Sequence, residues 1–316
     1  MKYIEKIEAE LRGKVIEQTK KSDFESFWRG EVEKLRAVPL KISRTRLDLP
    51  YRAFDAYEIE YSTHDETKVC AYFYVPRYMG DKKLPCVSVF HGGGGHGPFT
   101  SIVTDIVSTG VCVFCIDVRS QGGKTYDRAE YEILDDYRGA LMTHGVLDKE
   151  NFYMRNIYLD AVRAIDVIAS LPEVDGDKIV SYGASQGGAL SIVAGALSGK
   201  VKKVYAAVPS YGCLVQRVEA GSGVFGATKS FLTLYPEHTD RVMDTLSYFD
   251  VNNMASLLGV PSFFQIGLSD PTCLPSFVYS VYTHAAGPKE LLISPFTPHV
   301  ISTEFKLRAY EEFQAL

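Results

Sequence analysis

The segment Ile179-Val180-Ser181-Tyr182-Gly183-Ala184-Ser185-Gln186-Gly187-Gly188-Ala189-Leu190 sets a Gly-x-Ser-x-Gly pentapeptide between an apolar, strand-like run and an Ala-rich, helix-like one. A serine on a tight strand-to-helix turn projects its hydroxyl above a sheet, and glycines two positions to either side let neighbouring backbone pass. Ser185 is therefore the candidate nucleophile, and the chemistry is acyl transfer. A hydroxyl at neutral pH needs a histidine to take its proton and a carboxylate to orient that histidine. On a scaffold of this kind the chain order is serine, acid, histidine. His238, His284 and His299 follow Ser185; only His299 falls in a loop directly after a late strand, residues 290–294, whereas His284 sits within a helical run. Asp270, in the loop Leu268-Ser269-Asp270-Pro271 after an apolar run at 263–267, is the candidate acid, and Asp250 is its rival. A structural turn serine, a helix-capping Asp270 and a surface-loop His299 are the plain alternatives.

A tetrahedral intermediate also needs backbone donors aimed at its oxyanion. The amide of Gln186, the residue after the nucleophile, is one candidate. The glycine-rich loop His91-Gly92-Gly93-Gly94-Gly95-His96, after the strand-like Val87-Ser88-Val89-Phe90, offers the other, with Gly93 favoured. A flexible glycine turn is the competing reading, and a phosphate cradle is disfavoured because the lysine of a P-loop is missing. His91 and His96 lack the carboxylate cluster that would make them metal ligands. Cys112-x-x-Cys115 lies in a strand-like run, where residues three apart point to opposite faces, so core packing is expected and not metal or redox chemistry.

These groups must be held by a sheet with helices on its faces. Residues 3–36 read as helical, with Ile4, Ile7 and Leu11 on one face and Phe24, Phe27 and Trp28 opening a second segment, expected to cover the sheet or a subunit contact. Alternating strands at 56–61 and 69–75 precede more continuously apolar ones at 86–90 and 111–116. A helix at 155–171, strands at 178–182 and 201–208 around the helix after Ser185, a strand at 262–267, a helix at 276–286, a strand at 290–294 and a closing helix from 303 complete the pattern. This predicts an α/β, doubly wound, mostly parallel sheet with antiparallel strands leading in. Residues 211–247, broken by Gly212, Gly221, Gly223 and Gly226, read as an excursion over the active site or into a subunit interface.

Taken in order, Phe24-Glu25-Ser26-Phe27-Trp28, Phe90-His91-Gly92, Arg119-Ser120-Gln121-Gly122, Asp160-Ala161-Val162-Arg163-Ala164 and Gly183-Ala184-Ser185-Gln186-Gly187-Gly188 form one set of motifs. Ser247-Tyr248-Phe249-Asp250, Gly267-Leu268-Ser269-Asp270 with Cys273 and Pro275, and Pro298-His299 complete it. The set resembles carbohydrate esterase family seven, the acetyl xylan esterases and cephalosporin-C deacetylases of the α/β-hydrolase fold, over nearly the whole chain. The resemblance implies Ser185, Asp270 and His299 as the triad and the amides of Gly93 and Gln186 as the oxyanion hole. It also implies Arg119, Gln121 and His91 as supports behind the site, and Asp250 as a structural position. It implies a homohexamer with active sites facing an internal cavity, which favours small substrates. Three departures stand out: Arg-Gly-Gln-Gly reads Arg119-Ser120-Gln121-Gly122, the aromatic after His-Gly is Gly93, and His-Glu reads His299-Val300.

At 316 residues and 46% hydrophobic content the chain can bury a large core, and one domain is expected. The net charge of −5 without a long basic run argues against nucleic acid as a partner. No stretch reaches membrane-spanning length, and acidic residues interrupt the first residues where a signal peptide would be apolar; a cytoplasmic protein is expected. The expected activity is that of a serine esterase deacetylating small O-acetylated substrates such as acetylated xylo-oligosaccharides, without a cofactor. A broader carboxylesterase or thioesterase, and a catalytically silent ligand-binding or scaffold homologue, are the alternatives.

Overall fold

The computed structural model describes residues 2–80, 82–98, 100–132 and 140–316. Among the described residues nine strands form one sheet: β1 (Ser43–Leu47), β2 (Phe54–Ser62), β3 (Lys68–Pro76), β4 (Leu84–Phe90), β5 (Cys112–Ile116), β6 (Val174–Ala184), β7 (Val201–Ala207), β8 (Ser262–Gly267) and β9 (Lys289–Ser294). Their spatial order is β1-β2-β3-β5-β4-β6-β7-β8-β9. The pairs from β1 to β5 are antiparallel and those from β5 to β9 parallel, as the change from alternating to continuously apolar runs predicts. All six positions of β8 are buried, which requires cover on both faces.

The cover is helical: α1 (Tyr3–Arg12), α2 (Phe24–Ala37), α3 (Thr100–Val107), α4 (Tyr153–Ser170), α5 (Gln186–Leu197), α6 (Leu214–Ala220), α7 (Gly226–Leu234), α8 (Thr239–Ser247), α9 (Val251–Met254), α10 (Pro275–His284) and α11 (Thr303–Gln314). On one face α4 and α5 pack in the larger core. On the other, Val103, Ile106 and Val107 of α3 and Phe305, Ala309 and Phe313 of α11 close a second core. Cys112 belongs to the first and Cys115 to the second, so the two thiols point apart.

The amino-terminal segment differs in detail from the sequence expectation. Residues between α1 and α2 are not helical, and α2 packs on α4, not on the bare sheet. Two motifs read separately in the sequence meet here: Trp28 Nε1 donates to the Tyr248 carbonyl at 2.9 Å, and Phe27 and Trp28 pack edge-on against Tyr248 and Phe249. Strand β1 and helix α3 escape sequence reading. Exposed Ser43-Arg44-Thr45-Arg46 has no apolar alternation, and its arginines suit a sheet edge. The excursion at 211–247 folds into α6, α7 and α8 with short 3₁₀ turns. Among the described residues no helix is long and apolar enough to cross a membrane.

Candidate active site

Ser185 stands between β6 and α5 at φ 57°, ψ −124°, a left-handed conformation that costs a non-glycine residue about 1–3 kcal/mol. Its neighbours hold it there. The Ser185 amide donates to the Ala207 carbonyl (3.1 Å), and its own carbonyl accepts from the amides of Ala189 (3.1 Å) and Ser210 (3.0 Å). The flanking glycines are required by contact: a Cβ on Gly187 would sit 1.9 Å from the Phe90 carbonyl oxygen, and one on Gly183 2.4 Å from Gly187 backbone. The end of β4 therefore presses on the first turn of α5, which carries the loop at 91–95 to the side of Ser185.

Asp270 and His299 leave the sheet after β8 and β9. Their loops are laced together by Leu268 and Ser269 amides donating to the carbonyls of Ser294 (3.1 Å) and Thr297 (3.0 Å). His299 Nδ1 lies 2.7 Å from Asp270 Oδ2, while Asp270 Oδ1 accepts from the amides of Thr272 and Cys273, each at 2.8 Å. Burial pushes the Asp270 carboxyl up, but the His299 bond and these amides outweigh it and hold it below the ordinary carboxylate value. Asp270, followed by the Cys273 thiol, in turn raises His299 above the ordinary imidazole value.

Buried Gln265, in the middle of β8, fixes the histidine loop from below. Its Nε2 donates to the Val300 carbonyl and its Oε1 accepts from the Ser302 amide, both at 2.9 Å. Sequence reasoning did not single it out. The available signal was a lone amide side chain inside the run Phe263-Phe264-Gln265-Ile266.

The rivals lie elsewhere. Asp250 accepts from the amides of Cys213, Leu214 and Asn252, all at 2.8 Å, and caps α9; burial pushes its carboxyl up to about 6. His284 Nδ1 is engaged with Asn252 Oδ1 and the Ser280 carbonyl, and His238 stacks on Phe231.

Behind Ser185, Gln121 and Gln186 meet head to head, each Nε2 donating to the other's Oε1 at 2.8 and 2.9 Å. Gln121 Oε1 also accepts from the Gly94 amide (3.0 Å), and Tyr211 donates its hydroxyl to Gln186 Oε1 (2.6 Å). One side-chain pair thus ties the residue after Ser185 to the loop bearing Gly93.

His91 fastens that loop to the end of β5: Nε2 accepts from the Val118 amide (2.9 Å) and Nδ1 donates to the Gly92 carbonyl (2.6 Å). Burial lowers its pKa, which suits this neutral form, and with both ring nitrogens engaged it does not pair with His96 around a metal. Arg119 is wholly buried, with bidentate bonds to Asp160 (2.7 and 2.8 Å) and further bonds to Asp65 (2.6 Å) and Asp127 (2.8 Å). It is a structural hub one residue from Ser120 and two from Gln121. Among the described residues, the His, Cys and carboxylate group compact enough for a metal is Asp270, Cys273 and His299, which contains the hydrogen-bonded pair itself.

Ser185, His299 and Gly93 share the wall of a cavity of about 580 Å³ at the C-terminal edge of the parallel strands. A profile of the acetyl xylan esterase (AXE1) family matches residues 1–315. The chain belongs to the acetyl xylan esterase family. It is 30% identical to acetyl esterase Axe7A of Xylanibacter ruminicola over 288 residues, 89% of this chain and 64% of that protein, so it spans a little under two thirds of that relative's length. The structure of an acetyl xylan esterase from Paenibacillus sp. R4 superposes with a TM-score of 0.91 at 32% identity, covering 97% of this chain and 98% of that one. Acetyl xylan esterase 1 from Thermoanaerobacterium sp. JW/SL YS485 shares the fold, with a TM-score of 0.88 at 24% identity and the same coverage. Membership and the structural likeness place the chain in the α/β-hydrolase fold.

The three departures from the family pattern take physical form here. Ser120 has φ 60°, the region where the family's glycine is at ease. Among the described residues a Cβ on Gly93 would meet nothing within 4 Å, so the missing aromatic leaves open space there. Val300 is half exposed on the cavity wall beside His299.

Proposed function

We propose that this chain is a serine esterase that removes acetyl groups from small O-acetylated substrates, with acetylated xylo-oligosaccharides and other acetyl sugars first and cephalosporin C as a further candidate. Ser185 Oγ attacks the ester carbonyl while His299 Nε2 takes its proton, and Asp270 orients the ring and stabilises the imidazolium. The amides of Gly93 and Gln186 bind the oxyanion. Losing one such donor typically costs about 3–4 kcal/mol of barrier. His299 then protonates the leaving alcohol, and a water activated by the same imidazole clears the acetyl-enzyme. The observation that carries this reading is the 2.7 Å Asp270–His299 bond on a cavity whose wall also holds the strained Ser185.

Asp105 and Lys306 on the same wall supply polar partners suited to sugar hydroxyls. Six unpaired, buried cysteines fit a reducing, cytoplasmic setting. Assembly as a hexamer, with the sites facing inward, belongs to the same proposal and rests on family likeness.

The test is hydrolysis of 4-nitrophenyl acetate and an acetylated xylobiose by the wild type and by Ser185→Ala. Loss of about a millionfold in kcat on both substrates is expected. Equal rates in the two proteins would remove Ser185 from the chemistry.

A further inference from the structure

A tetrahedral intermediate on Ser185 has four substituents, and three have assigned directions. One is Oγ itself, the oxyanion turns to the amides of Gly93 and Gln186, and the leaving oxygen must face His299 to receive its proton. The alcohol therefore occupies the His299 cavity. The acyl substituent has to leave on another side.

A second cavity of about 420 Å³ lies on the far side of the oxyanion loop, lined among others by Gly93, Gln186, Leu141, Met142, Tyr211 and Val224. Gly93 lines both cavities, and among the described residues a Cβ built on it would meet nothing within 4 Å. The floor is the Gln121–Gln186 pair, whose amide groups are engaged with each other and with Gly94, Tyr153 and Tyr211. Ala140, Leu141, Met142 and Val224 give the rest of the lining its apolar surface, beside Ser120 and Tyr211.

Resting on the Ser185 esterase reading, the geometry points to this second cavity as an acyl-chain site. It gives the enzyme activity on butanoyl and hexanoyl esters as well as acetyl esters, with Gly93 as the open gate. The bond made and broken is the same in each case: the acyl carbon moves from the alcohol oxygen to Ser185 Oγ and then to water. Burying each additional methylene against an apolar wall is worth about fourfold in affinity, and an aliphatic pocket can express that gain in kcat/KM.

The experiment measures kcat/KM on 4-nitrophenyl acetate, butyrate, hexanoate and octanoate for the wild type and for Leu141→Trp, with Val224→Trp as a second, more exposed way to fill the cavity. Fold is checked by circular dichroism. The expected wild-type profile holds or rises from acetate to hexanoate, and either tryptophan lowers the hexanoate-to-acetate ratio by about tenfold or more. A wild type active on acetate but falling steeply at butyrate overturns the acyl site and leaves the esterase reading standing. So does a uniform loss across all four esters in the folded variants. Hydrolysis of none of the esters would instead sink the esterase reading beneath it.

Discussion

Asp270 does two things to His299: it fixes the ring's direction and it keeps the ring protonated to higher pH than a free imidazole. In the proposed mechanism the neutral His299 that activates Ser185 appears only above that raised value. The acid limb of kcat/KM should therefore lie above the ordinary imidazole range of about 6.5, and Asp270→Asn should move it to lower pH while reducing kcat about 10⁴-fold. A pH-rate profile of both proteins checks the sign; a limb that stays in place in the variant would mean that another group titrates. In the proposed mechanism Gln121 positions the loop that bears Gly93. Gln121→Leu removes the acceptor of the Gly94 amide and is expected to lower kcat with little change in KM, because the geometry lost matters most in the transition state. Steady-state kinetics on an acetyl ester separates the two parameters. Ser120, at φ 60°, carries strain that glycine would relieve. Ser120→Gly is expected to raise stability by up to about 1 kcal/mol after the added entropy of the unfolded chain, read as a shift in the urea midpoint.

At the scale of elements, the turn at Ser185 is possible only because β4 and α5 come within backbone contact. Gly187→Ala forces a methyl into the Phe90 carbonyl. It should cost at the upper end of the about 1–3 kcal/mol seen for overpacking and misplace the loop bearing Gly93, so that activity falls by more than stability explains. Thermal unfolding and acetyl ester hydrolysis on one preparation test this. Arg119 joins three parts of the chain: Asp65 between β2 and β3, Asp127 in the loop after β5, and Asp160 on α4. Burial pushes Asp65 up, yet the bonds to Arg119 win and hold it down at about 2; at Asp160 burial wins and the carboxyl is raised. Arg119→Leu leaves three carboxylates around an apolar side chain and should cost about 3–5 kcal/mol, measured by denaturant unfolding.

For the whole molecule, the proposed hexamer is checked by sedimentation velocity; a stable monomer at working concentration would remove it. The positions of Ser185, Asp270 and His299 after their strands, the turn at Ser185 and the glycine-rich loop could be read from the chain, because each is a local pattern whose flanks declare a strand, a turn or a helix. The parallel half of the sheet was legible for the same reason, since strands buried on both faces read as apolar runs. Asp270 could be preferred to Asp250 only by its place in a loop. What separates them is that Asp250 spends its oxygens on three backbone amides, whereas Asp270 keeps one for His299. Gln265, the Gln121–Gln186 pair and the hub at Arg119 were beyond local reading of their roles, because each acts on groups far away in sequence. Family likeness marked Arg119 and Gln121 as supports without saying what they hold. Strand β1 was invisible because an exposed, arginine-bearing edge strand has no buried face to impose a period. The sequence by itself determined which residues could do the chemistry and in what order they follow the sheet. Only the tertiary structure decided how their loops are held together and that Gly93 opens onto two cavities, because those facts reside in distances between segments that no spacing along the chain encodes.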